Sequence, residues 1–431
     1  MYNLRGGFLV RPLIIALSLG AAGALLSWLE EVFPLVSNLA PPVLFPSRAD
    51  PQVAQVILGG IAASIMTVVS IVFAIVLMTL TLASMQFSPR IIVSFSRDRV
   101  TQWTLGIFLG TFSYCMAALP AARSQPTPFA PVATVMGAML LAIACVCWLL
   151  FFIHHITQAI SVSNIVDRIA TETVAMIDGL MPEPRSARMN HLEPEPPGLD
   201  ETPILCETSG YIRFVDIPAL VNAAKSSHVT LSVVRRVGQF VPAGMPLLMT
   251  TKANRIEAEK LIEIREAFDL GPTRTLEQDV EFGILQIVDI ALKAISPAVN
   301  DPTTAISSID QLSRILIRFV SRDPLSPAYY DPPGILRVRV PWIDFDHLVT
   351  SAFEQIRMYS KGDVAVSLRM LRALGDIAVA TDHAAEKHRL REQARRTVEG
   401  CTERLGEEEM RPLRERLLSV ETATAVTSAE A

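Results

Sequence analysis

Hydroxyl side chains recur along the second long apolar run of the sequence, which covers residues 53–83. Four of them fall at helical spacing: Thr67, Ser70, Thr81 and Ser84. Residues at this spacing share one side of a helix, and in an aqueous pore their hydroxyls replace part of the hydration shell of an ion. Small residues at the same spacing also let membrane helices pack closely. The four residues are therefore pore-lining candidates, and helix packing is the simpler alternative.

Basic side chains lie between the second and third apolar runs, in an elbow over residues 86–102. A serine followed by a proline here predicts the start of a short interfacial helix. Its arginines would face lipid phosphates as simple anchors, or the segment would act as a gate. In the pore interpretation they form an electrostatic collar that favours anions. The candidates for this cytoplasmic mouth or interface are Gln86, Ser88, Arg90, Arg97 and Arg99.

Four apolar runs position these side chains, and each is long enough to cross about 30 Å of hydrocarbon as a helix. The runs cover residues 8–29, 53–83, 103–118 and 132–153. A cleaved signal peptide is the alternative for the first run, but its apolar stretch continues through Trp28, which favours a retained span. We expect a membrane α-helical fold whose four transmembrane helices occupy residues 1–155.

The arginines of the short loops predict the orientation of these spans. Arg5 and Arg11 precede the first span, and three further arginines follow the second. The other two loops offer only Arg48 and Arg123. Because short cytoplasmic loops carry the excess of positive charge, both termini should be cytoplasmic. A bacterial inner membrane is the expected location.

The charges divide unevenly along the 431 residues. Half of the residues are hydrophobic and 19% are charged, fewer than the roughly 25% usual in soluble chains. Residues 1–155 carry a net charge of +3 without any lysine, and the total of −5 leaves −8 for the remainder. A disordered chain, a purely soluble protein and a nucleic-acid binder are disfavoured. We also expect no buried carboxylate or lysine in the spans, which argues against a proton-coupled or cation-coupled carrier.

The residues after 155 predict an α+β cytoplasmic domain with helical hairpins. A helix and a Pro-rich linker should occupy residues 156–203. Alternating apolar residues and glycine turns over residues 204–252 resemble the hairpin of barrel-sandwich carriers. No lysine stands at the hairpin tip, so we expect a small structural, barrel-sandwich-like β module. Residues 253–420 should be mainly helical, and residues 421–431 should form a flexible tail.

Acidic side chains in the helical part have two interpretations. Glu281, Asp289 and Asp301 could form an acidic site, but helix caps and solvated faces explain them more simply. Asp301 followed by Pro302 predicts the start of a helix. The sequence contains no phosphate-binding loop, nucleophile elbow or zinc-binding helix motif, and its five cysteines form no ligand cluster. We therefore expect no enzyme activity, no cofactor and no metal.

Two separated motifs resemble a known family. The first is Leu-Ala-Ser-Met-Gln-Phe-Ser-Pro-Arg at residues 82–90, followed by Asp98-Arg99-x-x-Gln102 and by Gly106-x-x-x-Gly110. The second is Ala-Ile-Ser-Pro-Ala-Val-Asn-Asp-Pro-Thr-Thr-Ala at residues 294–305. At both motifs, the chain is similar to the bacterial predicted-membrane-protein family called domain of unknown function 2254. The resemblance implies a four-pass inner-membrane protein with a cytoplasmic domain, and it assigns no reaction.

Two functions are compatible with these patterns. The first is a channel-like conduit for small ions, with anions favoured, built as a homo-oligomer in the lipid bilayer and regulated by its cytoplasmic domain. The alternative is a non-transporting, membrane-anchored scaffold or sensor whose cytoplasmic domain binds a protein partner or a ligand. Neither function involves nucleic acid.

Overall fold

The chain forms two compact units, Met1–Ser161 and Val162–Ala431. The structure is a computed structural model, and it describes residues 10–33, 50–86, 99–125, 128–159, 161–183 and 201–425. The division between the units lies a few residues beyond the boundary that the sequence predicts at residue 155. Each unit has its own hydrophobic core, so each is described by itself.

The N-terminal unit contains four long apolar helices among its described residues. They are α1 (Val10–Val32), α2 (Pro51–Gln86), α3 (Arg99–Ala118) and α4 (Val132–Ala159). A short 3₁₀ turn, Leu119–Ala121, follows α3. Each of the four helices is long and apolar enough to cross a membrane, which is what the sequence predicts.

Helix α3 is the centre of this unit because it packs against α1, α2 and α4. Half of its span is buried, whereas only 17% of the α2 span and 17% of the α4 span are buried. Leu58 of α2, Phe108 of α3 and Phe152 of α4 are among the largest fully buried side chains. The lower hydropathy of α3, which makes it the weakest span in the sequence, agrees with a position inside the bundle.

Glycines on both helices allow α1 and α3 to approach closely. A Cβ atom at Gly23 would lie 2.6 Å from the backbone oxygen of Tyr114, which is too short for any real contact. In the opposite direction, Cβ atoms at Gly106 and Gly110 would collide with side chains of α1. These glycines therefore serve helix packing, because only a residue without a side chain fits between the two backbones.

One carboxylate is buried at the end of α1, contrary to the expectation that the spans hold none. The side chain of Glu30 is 1% exposed. It accepts hydrogen bonds from the backbone nitrogens of Ala133 (2.7 Å) and Thr134 (3.1 Å), and from the Thr134 hydroxyl (3.0 Å). These donors lie in the first turn of α4, where unpaired N–H groups and the helix dipole stabilise an anion. Glu30 therefore caps α4 and locks it to α1.

The C-terminal unit begins with a helix and then alternates strands with helices before it becomes helical. Its helices are α5 (Val162–Leu180), α6 (Ile217–Ser226), α7 (Ala258–Glu266), α8 (Val280–Ala294), α9 (Pro302–Val320), α10 (Phe345–Tyr359), α11 (Val364–Val379), α12 (Ala384–Glu399) and α13 (Glu407–Ala423). Its strands are β1 (Thr202–Leu205), β2 (Gly210–Val215), β3 (Leu231–Val233), β4 (Phe240–Val241), β5 (Pro246–Thr250), β6 (Phe268–Gly271), β7 (Ala328–Asp331) and β8 (Ile335–Arg339).

The strands of this unit form two sheets around one core. The larger sheet has the order β1-β5-β3-β8-β7, and the smaller has the order β4-β2-β6. The pairing of β3 with β8 is parallel, and the other pairings are antiparallel. Leu231, Leu248 and Val338 are fully buried in the core between these elements. The strands predicted at residues 204–252 are therefore completed by β6, β7 and β8 from later in the chain.

Helix α8 is the central helix of the C-terminal unit. It is buried along most of its length against α5, α9 and α10. Gly283 brings α8 close to α5, since a Cβ atom there would lie 2.0 Å from the Thr173 hydroxyl oxygen. The next helix starts as predicted, because the Asp301 side chain accepts a hydrogen bond from the Thr304 backbone nitrogen (3.2 Å) and Pro302 follows it.

Replacing Gly23 with alanine should destabilise the N-terminal unit, because its Cβ atom would meet the backbone of α3 rather than a movable side chain. We expect a lower melting temperature in detergent, equivalent to about 1–3 kcal/mol of overpacking. The matched control is Gly59→Ala, where no heavy atom lies within 4 Å. That variant should be neutral or gain up to about 1 kcal/mol of helix propensity. Equal melting of the two variants would contradict the close approach of α1 and α3.

Candidate functional site

The hydroxyl residues of α2 point away from the rest of the N-terminal unit. Thr67, Ser70 and Thr81 are exposed. Each hydroxyl donates to the carbonyl oxygen four residues earlier, at distances of 3.1, 3.0 and 2.8 Å. The buried side of α2 contains Ala54, Leu58, Ala62, Ile65 and Val72. At about 100° of rotation per residue, the two sets of residues lie on opposite sides of the helix.

This exposed side of α2, which we call the hydroxyl face, carries a row of small residues. The row comprises Gly60, Ala63, Thr67, Ser70, Ala74 and Thr81, and the exposed Val56, Leu77 and Met78 lie beside it. A Cβ atom at Gly60 would have no heavy atom within 4 Å. Within the part of the subunit that the structure describes, the face therefore does not serve packing. Because each hydroxyl hydrogen is already satisfied by its own helix, the face is compatible with an apolar surrounding and keeps a free acceptor lone pair on each oxygen.

The other predicted mouth and pore residues are only partly described. Ser84 and Gln86 belong to α2, but their side chains fall outside the described part of the structure. Ser88, Arg90 and Arg97 lie outside the described residues. Arg99 is the first residue of α3 and is exposed.

A second group of polar side chains, which we call the polar cluster, lies in the C-terminal unit where the sheets meet the helices. The loop between β3 and β4 contributes Arg236, and the segment before α8 contributes Arg274. The first residues of α8 and α10 supply carboxylates and a histidine. The members of the cluster are Arg236, Arg274, Asp279, Glu281, His347 and Ser351.

The centre of the polar cluster is a bidentate ion pair between Arg274 and Asp279. Arg274 donates from Nε to Asp279 Oδ2 (2.7 Å) and from Nη2 to Asp279 Oδ1 (2.8 Å). Asp279 also caps α8, since its Oδ1 accepts from the Phe282 backbone nitrogen (3.1 Å). Gly238 makes room for this pair: its φ is +88°, and a Cβ atom there would lie 2.3 Å from Asp279 Oδ2. A glycine is required at this position both for its backbone conformation and for space.

Burial and charge act in opposite directions on the carboxylates. Burial raises the pKa of Asp279, although the guanidinium of Arg274 acts to lower it. Burial also works to raise the pKa of Glu281, but Arg274 and Arg236 outweigh it, so this pKa is lowered. The pKa of Arg274 is raised, because its two carboxylates outweigh the effect of burial. Since arginine stays protonated in proteins and both oxygens of Asp279 accept from it, the pair is ionised.

His347 lies at the rim of the cluster and contacts two opposite charges with one atom. Its Nε2 is 2.7 Å from Glu281 Oε1 and 2.6 Å from Arg236 Nη2. Ser351, one turn further along α10, donates to the same Glu281 oxygen (3.1 Å). Both side chains of α10 therefore contact the carboxylate, and the serine hydroxyl is not hydrogen-bonded to the imidazole as a nucleophile would be to its base. Proton exchange and ion pairing are the chemistry that this arrangement supports.

The sequence pointed to only one member of the polar cluster. Glu281 was grouped with Asp289 and Asp301, but the structure does not bring these three acids together. Glu281 is in the first turn of α8, and Asp301 lies beyond its last turn, about 20 Å away along the helix axis. Among the described residues, no three His, Cys, Asp or Glu side chains are placed to hold a metal ion. One further local signal for the cluster is present in the sequence, because Arg274 stands shortly before the helix cap Asp279.

The two units together define a membrane protein, with four candidate spans followed by an α/β region. The chain belongs to the family described as "Predicted membrane protein (DUF2254)", whose model matches residues 5–376. This confirms the resemblance seen in the two motifs. Uncharacterised proteins of Mycobacterium bovis and Mycobacterium tuberculosis are 32% identical to it over 383 residues, which cover 87% of this chain and 72% of theirs. No solved structure matches the chain.

Removing the arginine of the central ion pair should destabilise the C-terminal unit. In Arg274→Met, the carboxylate of Asp279 would remain buried without its cation, at a cost of about 3–5 kcal/mol. Thermal unfolding of the purified protein should shift clearly downward when followed by tryptophan fluorescence, to which Trp342, packed against the core of this unit, contributes. The control is Arg414→Met, which removes an exposed partner of Glu407 and should leave the melting temperature unchanged. Equal shifts would show that the buried pair has no special role.

Proposed function

We propose that the protein is a homo-oligomeric, channel-like conduit for small ions in a bacterial inner membrane, with anions favoured. The observation that carries this proposal is the hydroxyl face of α2, which is exposed and lies opposite the side that packs on its own subunit. Around a shared axis, the α2 helices of several copies would turn these faces toward one another and form a path lined by hydroxyl oxygens.

The composition of the other exposed helix surfaces supports this assignment. Helix α1 exposes Leu13 and Leu17, and helix α4 exposes Leu140 and Leu150. Large apolar side chains of this kind suit contact with lipid. Helix α2 exposes large apolar side chains such as Met78 as well, but its hydroxyl face adds glycine, alanine, serine and threonine, which suit a protein neighbour or water. Helix α2 also has 36 residues, or about 54 Å, so it would extend the path beyond about 30 Å of hydrocarbon.

The charges at the two ends of the spans favour anions over cations. Arg99 is exposed at the start of α3, and Arg90 and Arg97 precede it in the sequence. These arginines would form a positive collar at the cytoplasmic mouth and concentrate anions there. The buried carboxylate of Glu30 already accepts three hydrogen bonds from α4. It acts as a helix cap, so it supplies no free ligand for a permeating cation.

The C-terminal unit would then act as the cytoplasmic regulatory domain. Its location follows from the arginine-rich elbow, which argues for cytoplasmic termini. We propose that its two sheets form a barrel-sandwich-like structural module without a carrier lysine. The helices around α8 would transmit changes in this module, because the polar cluster ties both parts together.

The alternative is a membrane-anchored scaffold or sensor that does not transport ions. Its support is the set of large apolar side chains exposed on the C-terminal unit. Tyr359 and Val379 are 71% and 77% exposed, and Tyr330 is 60% exposed. Exposed apolar groups of this size suit contact with a protein partner. In this case the hydroxyl face would serve only the packing of one subunit against another.

Bulky apolar substitutions on the hydroxyl face should block conduction. We expect Ser70→Leu and Thr81→Leu to reduce anion flux from liposomes by about tenfold or more, because leucine narrows the path and removes the hydroxyl oxygens. The matched control is Thr157→Leu. Thr157 is an exposed threonine of α4 with the same type of bond to its own helix (2.8 Å), and its replacement should leave flux unchanged. No flux in the wild type, or unchanged flux in both α2 variants, would favour the scaffold or sensor.

Removing the charge of Arg99 should weaken the preference for anions. In Arg99→Gln, the ratio of anion to cation permeability should fall by about two- to fivefold, the effect of one solvent-screened charge near the path. Reversal potentials under a salt gradient in planar bilayers measure this ratio. The control is Arg414→Gln, which removes an exposed charge in α13 and should not alter the reversal potential. An equal ratio of anion to cation permeability in the wild type, Arg99→Gln and Arg414→Gln would contradict the proposed arginine collar.

A further inference from the structure

We propose that His347 is a proton-controlled switch, which selects between Arg236 and Glu281 and thereby holds or releases the turn at residues 235–237 between β3 and β4. The observation is that its Nε2 atom lies within hydrogen-bond distance of both side chains, at 2.6 and 2.7 Å. Nothing in this inference depends on ion conduction, because it concerns the C-terminal unit alone.

The two contacts of Nε2 require opposite states of the imidazole. Arginine only donates hydrogen bonds, so Nε2 must offer a lone pair to Arg236. The ionised carboxylate of Glu281 only accepts, so Nε2 must carry a hydrogen to bind it. The neutral ring with its hydrogen on Nδ1 therefore binds Arg236. A ring with a hydrogen on Nε2, whether it is the other neutral tautomer or the protonated form, binds Glu281. Protonation removes the only form that can accept from Arg236. Since histidine changes its charge between about pH 5 and 8, a modest change of pH can exchange the two states.

The charges that surround His347 come from every element packed on α10. Glu281 and Arg236 contact its ring, and behind them Arg274 and Asp279 neutralise each other. Helix α10 itself places Asp344 at its cap and Asp346 in its first turn. On the neighbouring helices, charged side chains near α10 are engaged in pairs of their own: Asp310 of α9 with Arg369, Arg314 of α9 with Asp167, and Arg389 of α12 with Glu392 and Thr350. A proton on His347 adds one positive charge beside Arg236 and removes the lone pair that accepts from it.

Arg236 is the side chain that should lose its contact with His347 when the ring is protonated. Its Nη2 lies 3.4 Å from both oxygens of Glu281, whereas Arg274 reaches the same carboxylate at 2.9 Å. The Nε atom of Arg236 is buried without a hydrogen-bond partner. Both oxygens of Asp279 are already bound by Arg274. The contact with His347, at 2.6 Å, is therefore the shortest polar contact of the Arg236 side chain.

The turn at residues 235–237 should move together with the Arg236 side chain. The Arg236 backbone nitrogen donates to Gln239 Oε1 (3.1 Å), and the Gln239 backbone nitrogen donates to the Arg236 carbonyl oxygen (3.2 Å). Arg235 ties the loop to its own strand through the Phe240 carbonyl oxygen (2.7 Å). Gly238 and Gln239 are paired with Ile212 of β2 through two backbone hydrogen bonds (2.8 and 3.0 Å), so Arg236 ties only the turn at residues 235–237 to the helices. Protonation of His347 would free this turn from α8 and α10 while Gly238 and Gln239 stay paired with β2.

Hydrogen exchange of the full chain in lipid nanodiscs tests this switch. Protection of residues 235–237, corrected for the intrinsic effect of pH, should fall by about threefold or more between about pH 8 and pH 5.5, because like charges then meet at contact distance. Peptides from α11 should keep their protection and so exclude global unfolding. Unchanged protection of this turn in the wild type would overturn the proposal.

Substitutions assign the pH effect to His347. His347→Gln should remove it, because a glutamine amide can accept from Arg236 and donate to Glu281 without any charge. The control, His388→Gln, replaces an exposed histidine of α12 and should keep the full pH effect. Arg236→Gln should leave the turn poorly protected at both pH values. A pH effect that persists in His347→Gln, or a turn that stays protected in Arg236→Gln, would overturn the proposal.

Discussion

The close approach of α1 and α3 is the constraint on which the N-terminal unit depends. Because Gly23 lets the two backbones meet, α3 lies inside the bundle and offers its remaining sides to α2 and α4. Helix α2 is then packed along one side only. Its hydroxyl face is exposed for this reason, and not because the bundle is loosely built. The exposure of the hydroxyl face on α2 thus follows from the contact that Gly23 allows between α1 and α3.

Anionic side chains at helix starts connect distant segments in both units. Glu30 reaches from α1 to the first turn of α4, and Asp279 caps α8 while it binds Arg274. In each case an acid that would be costly in an apolar interior is stabilised by backbone N–H groups and by the helix dipole. The carboxylates therefore fix the geometry of their surroundings. Around Glu281, by contrast, the carboxylate is shared by the side chains of Arg236, Arg274, His347 and Ser351, and this is where we propose a response to protons.

The parts of the fold that could be predicted from the sequence depend on near neighbours in the chain. The four spans follow from apolar length, and the cap at Asp301 follows from one residue and the proline after it. Glu30 and its partner Ala133 are 103 positions apart, and Arg236 and His347 are 111 apart. No periodicity or spacing links residues so distant, because their contact arises only when separate elements pack. The parallel place of β8 beside β3 depends in the same way on the packing of separate elements.

The position of β8 has a consequence for how the C-terminal unit can be divided. Strand β3 lies between β5 and β8, and β2 lies between β4 and β6, so residues 204–252 alone would leave two strand edges unpaired. Unpaired edges recruit other chains and promote aggregation. A gene fragment encoding only these strands would therefore yield two sheets with open edges. The region from β1 to β8 is needed to give both β2 and β3 their two neighbours.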